Sequence, residues 1–335
     1  MDGKRRATLV DVAAAAGVSK MTASRALRGA GDVSAAKVEK VRRAAKEIGY
    51  VGNHLAMSLS SQRSDIIGVV VPSVANIVYA EVLAGIADVI EGSGIQPVFG
   101  VTEYDPDREY DVIRNMLSWN PAGLIITGLD QPAQSRRLLE NAGIPVVQIM
   151  DTDGIAVDSC VGLSHHAAGE AMARALIEMG RTRFGYVGCG LGRDTRAKKR
   201  FLGFETVLSQ AGLVFVETKT DDGPSTIKAG RDLTASILCD HPHLDCIYYS
   251  NDDLAAGGLF HCIANGIADR RKLILAGFNG LDFIASLPIK IATSRTPRRQ
   301  IGQDAAELIS NTGVARVKSE KKTVTYIPQI DLGTS

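Results

Sequence analysis

A chain of 335 residues with 45% hydrophobic content exceeds one ordinary domain and can bury large cores. The net charge of +1 hides an asymmetry: residues 1–62 hold 11 Lys or Arg against 5 Asp or Glu, and the remainder hold 27 against 32. No apolar run reaches the roughly 20 residues that a membrane helix needs, and the charged start MDGKRR lacks the apolar stretch of a secretory signal, so the expected compartment is the cytoplasm, with no membrane partner.

The first elements are three short capped helices. Thr8 can cap a helix whose third residue is Asp11; Val12, Ala13 and Ala16 then line one apolar face, and Gly17 ends the helix. Ser19 is a second N-cap with Thr22 at N3, starting a helix from Lys20 to Arg28 that turns Lys20, Met21, Ser24 and Arg25 outward and Ala23, Ala26 and Leu27 inward. A third segment begins at Ser34, carries Val38, Val41, Ala45 and Ile48 at helical spacing, and stops at Gly49. The pattern predicts a small all-α helix-turn-helix head over residues 1–48. Such a head lays its second helix in the major groove of double-stranded DNA. Lys20 and Met21 are the prime base readers, with Thr8, Ser19, Thr22, Ser24 and Arg25 at the same surface. An Ala-rich helix pair can give this spacing by chance, with its cations merely solvated; the basic excess over residues 1–62 argues for DNA.

Residues 49–63 read as a linker, and 64–335 as a second, larger part of the chain. Short apolar runs at Ile66–Val71, Pro97–Val101, Leu124–Thr127 and Val146–Ile149 alternate with helical patterns near Ala80–Glu91, Arg108–Leu117 and Gln134–Ala142. A second set follows: strands at Phe184–Val187, Val214–Thr218, Cys246–Tyr249 and Leu273–Ala276, with helices near Ala167–Met179, Ala197–Ala211, Ile227–Leu238 and Leu254–Ala264. This predicts an α/β core of two similar lobes with parallel sheets, of the periplasmic-binding-protein-like kind.

Ligands of open parallel sheets bind beyond the carboxyl ends of the strands. Polar residues there are Ser73, Asn76, Tyr79, Asp151, Asn251, Asp252 and Asn279. Arg193, Arg196, Lys198, Lys199 and Arg200 form a basic run that suits an anionic ligand, although most of it is expected to be a solvated helix face. Plainer assignments stand beside these: Asn251 or Asp252 can cap the following helix, Asp151 can serve a turn, and Arg200 can be solvated.

Enzyme patterns are weak. Gly188-Cys189-Gly190-Leu191-Gly192 follows a strand, but its third glycine falls one residue early for a dinucleotide turn, and neither G-x-S-x-G nor a phosphate-binding loop occurs. Cys239, His241, His243 and Cys246 resemble metal spacing, yet Cys246 sits in an apolar strand run and His243 follows Pro242 in a loop; His165-His166 open a helix behind the Ser164 cap. With Cys160, Cys189 and Cys262 the cysteines form no paired framework. No cofactor, metal or catalytic group is expected.

Thr8 to Arg25 reads T-L-x-D-V-A-x-x-A-G-V-S-x-x-T-x-S-R, and in this the chain resembles the lactose-repressor (LacI/GalR) family of bacterial regulators. The likeness continues through Val33-Ser34, Lys40-Val41, Gly49-Tyr50, Asn53 and Leu59. It implies a hinge helix over Asn53–Ser61 that orders on operator DNA, with Asn53 and His54 at the DNA and Leu59 wedged into the minor groove. It also implies that 49–63 is the hinge and 64–335 an effector-binding and dimerisation core, with lobes over about 64–162 with 294–319, and 163–293 with 320–335. Gly52 stands where the family usually has proline, which loosens the linker entry; a plain Ser-rich tether is the alternative. The resemblance also assigns effector contacts to Asp151, to Arg200 in R-x-x-G-[FW] and to Asn251, with Ser73, Asn76, Tyr79, Arg193, Arg196 and Asn279 as further pocket candidates. Many sugar-binding relatives carry aspartate at the position of Asn279, so asparagine here favours an anionic effector. PSVANIVYAEVLAGI, MLSWN and Asn251-Asp252-Asp253 look most similar to the gluconate-utilisation repressor branch, implying gluconate or a related sugar acid. The expected molecule is a homodimer, since little chain follows the last strand, and it reads a palindromic operator and is released by its effector. A sugar-binding transport receptor, or a regulator using a neutral or phosphorylated sugar as corepressor, are the alternatives.

Overall fold

The computed structural model describes residues 5–29, 31–51, 65–267, 269, 272–315 and 321–333. They fall into two compact units, Met1–Ser64 and Asp65–Ser335.

In the first unit α1 (Leu9–Ala16), α2 (Lys20–Leu27) and α3 (Ala35–Glu47) surround a core built mainly on alanines: Ala13, Ala16, Ala23, Ala26, Ala44 and Ala45 are buried with Val12 and Val41. Small side chains let three short helices approach closely. Thr8 and Asp11 form a reciprocal capping box, and their hydrogen bonds hold the Asp11 carboxyl below its ordinary pKa. Gly17 ends α1 in the left-handed conformation at φ 60°, which favours glycine. Ser19 caps α2 by accepting from the Thr22 amide at 3.1 Å. Ser34 takes the N-cap position of α3 without a side-chain cap bond; its carbonyl accepts from Lys37 and Val38 instead. Tyr50, expected in the linker, packs on this core. The remaining linker positions, including Gly52, Asn53, His54 and Leu59, lie outside the described residues.

In the second unit, strands β1 (Ile66–Val71), β2 (Gln96–Val101), β3 (Gly123–Thr127), β4 (Val146–Ile149) and β5 (Ser159–Leu163) are parallel and joined by α4 (Ile77–Ile90), α5 (Pro106–Ser118) and α6 (Ala133–Glu140). The chain then passes to a second parallel sheet: α7 (His165–Glu178), β6 (Phe184–Cys189), α8 (Thr195–Gln210), β7 (Phe215–Asp221), α9 (Ile227–Asp240), β8 (Cys246–Tyr249), α10 (Asp252–Ala264) and β9 (Ile274–Ala276). β10 (Thr293–Arg295) pairs antiparallel with β12 (Gln329–Asp331), α11 (Arg298–Ala315) packs on α4, and β11 (Thr323–Tyr326) pairs with β5. The first sheet thus has the order β11-β5-β4-β3-β1-β2 and the second β7-β6-β8-β9.

Two expected lobe boundaries move. Residues 323–326, placed with the second lobe, form an edge strand of the first sheet because β5 offers a free parallel edge. Residues 294–295, placed with the first lobe, belong to the β10-β12 ribbon, and Ile330 packs on the second lobe's aromatic core. β5 was not anticipated. Its run SCVGL is short and weakly apolar, and register against β4 and β11 supplies what local pattern does not.

Three helix pairs share one device. A Cβ at Gly85 would collide with the Arg299 carbonyl and one at Gly302 with that of Val82; Gly169 and Gly203 stand likewise against Arg200 and His166, and Gly230 and Gly257 against Leu254 and Ile227. Each pair, α4 with α11, α7 with α8 and α9 with α10, is held at backbone contact by reciprocal glycines. Gly203→Ala is expected to separate α7 from α8 and destabilise the core by about 1–3 kcal/mol. The check is the urea midpoint of the core's unfolding; an unchanged midpoint contradicts the assignment.

Candidate nucleic-acid interface and ligand cleft

In the head, Lys20 and Met21 stand on the first turn of α2, and Met21 is 70% exposed. An apolar side chain so exposed at a helix N-terminus, among cations, suits base-edge contact in a groove. Ser19 and Thr22 face one another with hydroxyls 2.9 Å apart. Ser24 is half-buried, Thr8 is engaged in its capping box, and Arg25 forms a salt bridge with Asp32. To hold a phosphate, Arg25 must therefore exchange one anion for another.

In the core, a cleft of about 540 Å³ opens between the lobes, at the carboxyl ends of β1 and β3 and of β2, and is closed by the first turn of α8. Arg193 and Arg196 line it. Arg196 is only 11% exposed, donates to the Tyr79 hydroxyl across the lobes at 3.0 Å, and has Asp194 at 3.7 Å. Burial pushes the Tyr79 phenol well up, keeping it protonated, so its oxygen serves Arg196 as a neutral acceptor. Arg193 is exposed and donates to the Asp222 carbonyl, and Lys198 faces solvent.

Lys199 makes the second bridge between lobes. Its Nζ donates to Asp151 at 2.6 Å, to Asp130 at 2.9 Å and to the Asp153 carbonyl at 3.2 Å. Asp151 is fully buried, and burial raises its carboxyl above the ordinary value despite the ammonium beside it. Its hydrogen bonds go to Lys199 and to the Asp153 amide.

The other expected pocket residues are committed to structure. Ser73 accepts from Ala75 within a turn, Asn76 caps α4 through Val78, and Asn251 caps α10 through Leu254. Asp252 is fully buried, accepts from Leu281 and Thr293, and has its carboxyl pushed up to about 6 by burial. Asn279 adopts φ 118°, an unfavourable backbone for a residue with a side chain, and its carbonyl accepts from Thr296 and Arg298. Arg200, expected either at the ligand or in solvent, is 5% exposed. It donates to the Ser250 carbonyl at 2.7 Å, lies over the Phe278 ring at 3.9 Å, and meets His165 Nδ1 at 2.9 Å. His165 Nε2 is 2.7 Å from the Met150 carbonyl. The ring satisfies both contacts only as a neutral imidazole, which donates from Nε2 and accepts from Arg200. Burial and Arg200 together hold its pKa well below the ordinary value. His165 therefore ties the end of β4, at Met150, to Arg200 of the second lobe, a role beyond helix opening.

Sequence reasoning passed over Glu109, Tyr104, Asp130 and Lys199 as named contacts. The strand-end rule reaches the loops after β2 and β3 as well as those after β1, β4 and β8, and applying it there finds Tyr104 and Asp130.

The chain matches two family models, "Bacterial regulatory proteins, lacI family" over residues 8–53 and "Periplasmic binding proteins and sugar binding domain of LacI family" over 64–332. The chain belongs to the lacI family of bacterial regulatory proteins. Like other members of that family, it is a DNA-binding transcriptional regulator. It is 40% identical over 304 residues to the HTH-type transcriptional regulator GntR of Pseudomonas aeruginosa, covering 90% of this chain and 88% of that one. A crystal structure of a LacI-family transcriptional regulator from Silicibacter pomeroyi superposes with TM-score 0.94 at 44% identity, over 97% and 98% of the two chains. The Lac repressor dimer bound to operator shares the fold at TM-score 0.82 and 20% identity, over 99% and 100% of the chains. Among the described residues no helix is long and apolar enough to cross a membrane.

Lys199→Met strands the buried Asp151 carboxylate without its cation, at a cost of about 3–5 kcal/mol. Because an acid whose folded-state pKa is raised loses stability as pH climbs through that value, the variant's urea midpoint is expected to fall more at pH 8 than at pH 5. An equal drop at both pH values contradicts a buried pair.

Proposed function

We propose that this regulator is a homodimeric repressor of sugar-acid utilisation genes that leaves a palindromic operator when a small polyhydroxylated acid, gluconate or a close relative, enters the inter-lobe cleft. It works in the cytoplasm, where the DNA is, and the reading assigns it no catalytic step. One observation carries the ligand half: Arg196 is a nearly buried guanidinium lining the cleft, and among the described residues its salt-bridge partner is Asp194, at 3.7 Å. A cation placed so can take a ligand carboxylate by charge-assisted hydrogen bonds. Arg193 stands beside it, and Tyr79 backs it as the acceptor of its hydrogen bond, whereas Ser73, Asn76, Asp151, Arg200, Asn251 and Asn279 are spent on turns, caps and lobe contacts and do not line it.

The 40% identity to the Pseudomonas GntR regulator supports the sugar-acid class, and the Lac repressor, solved as a dimer on its operator, supports two heads reading two half-sites. Asn53, His54 and Leu59 complete the proposed DNA contacts through the hinge. Coupling between the two sites is expected at the usual size, roughly 1–3 kcal/mol.

The test uses duplexes selected from a random pool by the full-length protein, with affinity read by fluorescence anisotropy. Palindromic sites are expected, weakening steeply as salt rises. Gluconate should release them and glucose should not; release by glucose alone overturns the sugar-acid reading, and release by 6-phosphogluconate alone points to a phosphorylated acid. Arg25→Ala should weaken every duplex and reduce the salt slope by about 1, whereas substitutions at Met21 should change the selected bases. If Met21 variants select the wild-type sequence, its base-reading role is wrong.

A further inference from the structure

Glu109 stands near the start of α5 and lines the same cleft as Arg196. Its Oε1 is shut off from solvent and has no hydrogen-bond partner. Native structures rarely leave a carboxylate oxygen in that condition, and one that lines an open cleft is placed to receive a donor from a ligand. Burial pushes the carboxyl up to about 7, against the opposing pull of the Arg196 charge.

The neighbouring charges are accounted for. Arg108 pairs with Glu103, Asp105 caps α5, Asp130 pairs with Lys199, and Arg193 donates to the Asp222 carbonyl. Arg196 spends its contacts on Tyr79 and Asp194, and among the described residues no salt bridge joins it to Glu109. The cleft therefore presents a guanidinium from the second lobe and an unserved carboxylate oxygen from the first, in a space of about 540 Å³. A simple carboxylate would answer Arg196 alone, and Glu109 calls for a hydrogen-bond donor on the same ligand. A chain of hydroxyls ending in a carboxylate answers both.

We propose that Glu109 is a specificity-determining residue of the cleft, accepting a hydroxyl hydrogen from a polyhydroxylated acid whose carboxylate rests on Arg196. This rests on the sugar-acid reading above and adds to it the group that distinguishes a sugar acid from a bare carboxylic acid.

The experiment is calorimetric titration of the full-length protein with gluconate and its monodeoxy derivatives, using wild type, Glu109→Gln and Glu109→Leu. Neither substitution removes a hydrogen bond that Oε1 makes, and Glu109→Gln preserves shape. In wild type, one monodeoxy acid is expected to bind at least tenfold more weakly than gluconate. In Glu109→Leu that ratio should shrink to within twofold, with Glu109→Gln between. A merely structural role would lower all affinities together and leave the ratio intact. If Glu109→Leu and Glu109→Gln both discriminate the deoxy acids as wild type does, the Glu109 assignment is overturned while the sugar-acid reading stands. If wild type binds none of these acids, the sugar-acid reading fails and takes the Glu109 assignment with it.

Discussion

The cleft depends on one turn of helix reaching across it. Arg196 and Lys199 sit three residues apart on α8, on the same side of its first turn, and from the second lobe they grasp Tyr79, Asp130 and Asp151 of the first. Two cations on one helical face give the lobes a defined approach, beside the apolar packing that runs from one lobe to the other. The same contacts decide what is left for a ligand. Asp151 is already neutralised, so the free polar capacity lies on the Arg196 side of the cleft. A bridge built from ion pairs is also adjustable, because a charged ligand arriving at Arg196 competes with the contacts that set the lobes' spacing.

Around this bridge the scaffold is stiff. Reciprocal glycines lock three helix pairs at backbone contact. The His165–Arg200–Ser250 chain fixes the end of β4 to the second lobe, and Asp252 ties α10 to the loop after β9 and to β10. Rigid lobes joined in part by polar contacts suit a switch between two arrangements, since packed cores do not deform continuously.

The head was legible in the sequence almost residue by residue, because caps and a left-handed glycine are local signals: Thr8 with Asp11, Ser19 with Thr22, and Gly17. Strands β1, β3, β4, β6 and β8 were legible as apolar runs for the same reason. Partnerships across long stretches of chain were not. β11 joins β5 some 160 residues away, and nothing in its alternating sequence names the sheet it belongs to. The pocket was half legible. Residue type brought forward Arg196, which the structure places in the cleft lining, and strand-end position brought forward Tyr79 and Asp151, which it places against Arg196 and Lys199; neither could say that Arg200 turns into the second lobe, that Lys199 occupies Asp151, or that Glu109 keeps an unserved oxygen. Those facts depend on which side of a helix faces the other lobe.

The central claim is that one chain couples a DNA-reading head to an acid-binding cleft, and reciprocity tests it most directly. Operator affinity should be measured with and without saturating gluconate, and gluconate affinity with and without saturating operator. The account predicts that each ligand weakens the other by the same factor, fivefold or more. Factors of one in both directions, with both ligands bound, would contradict it.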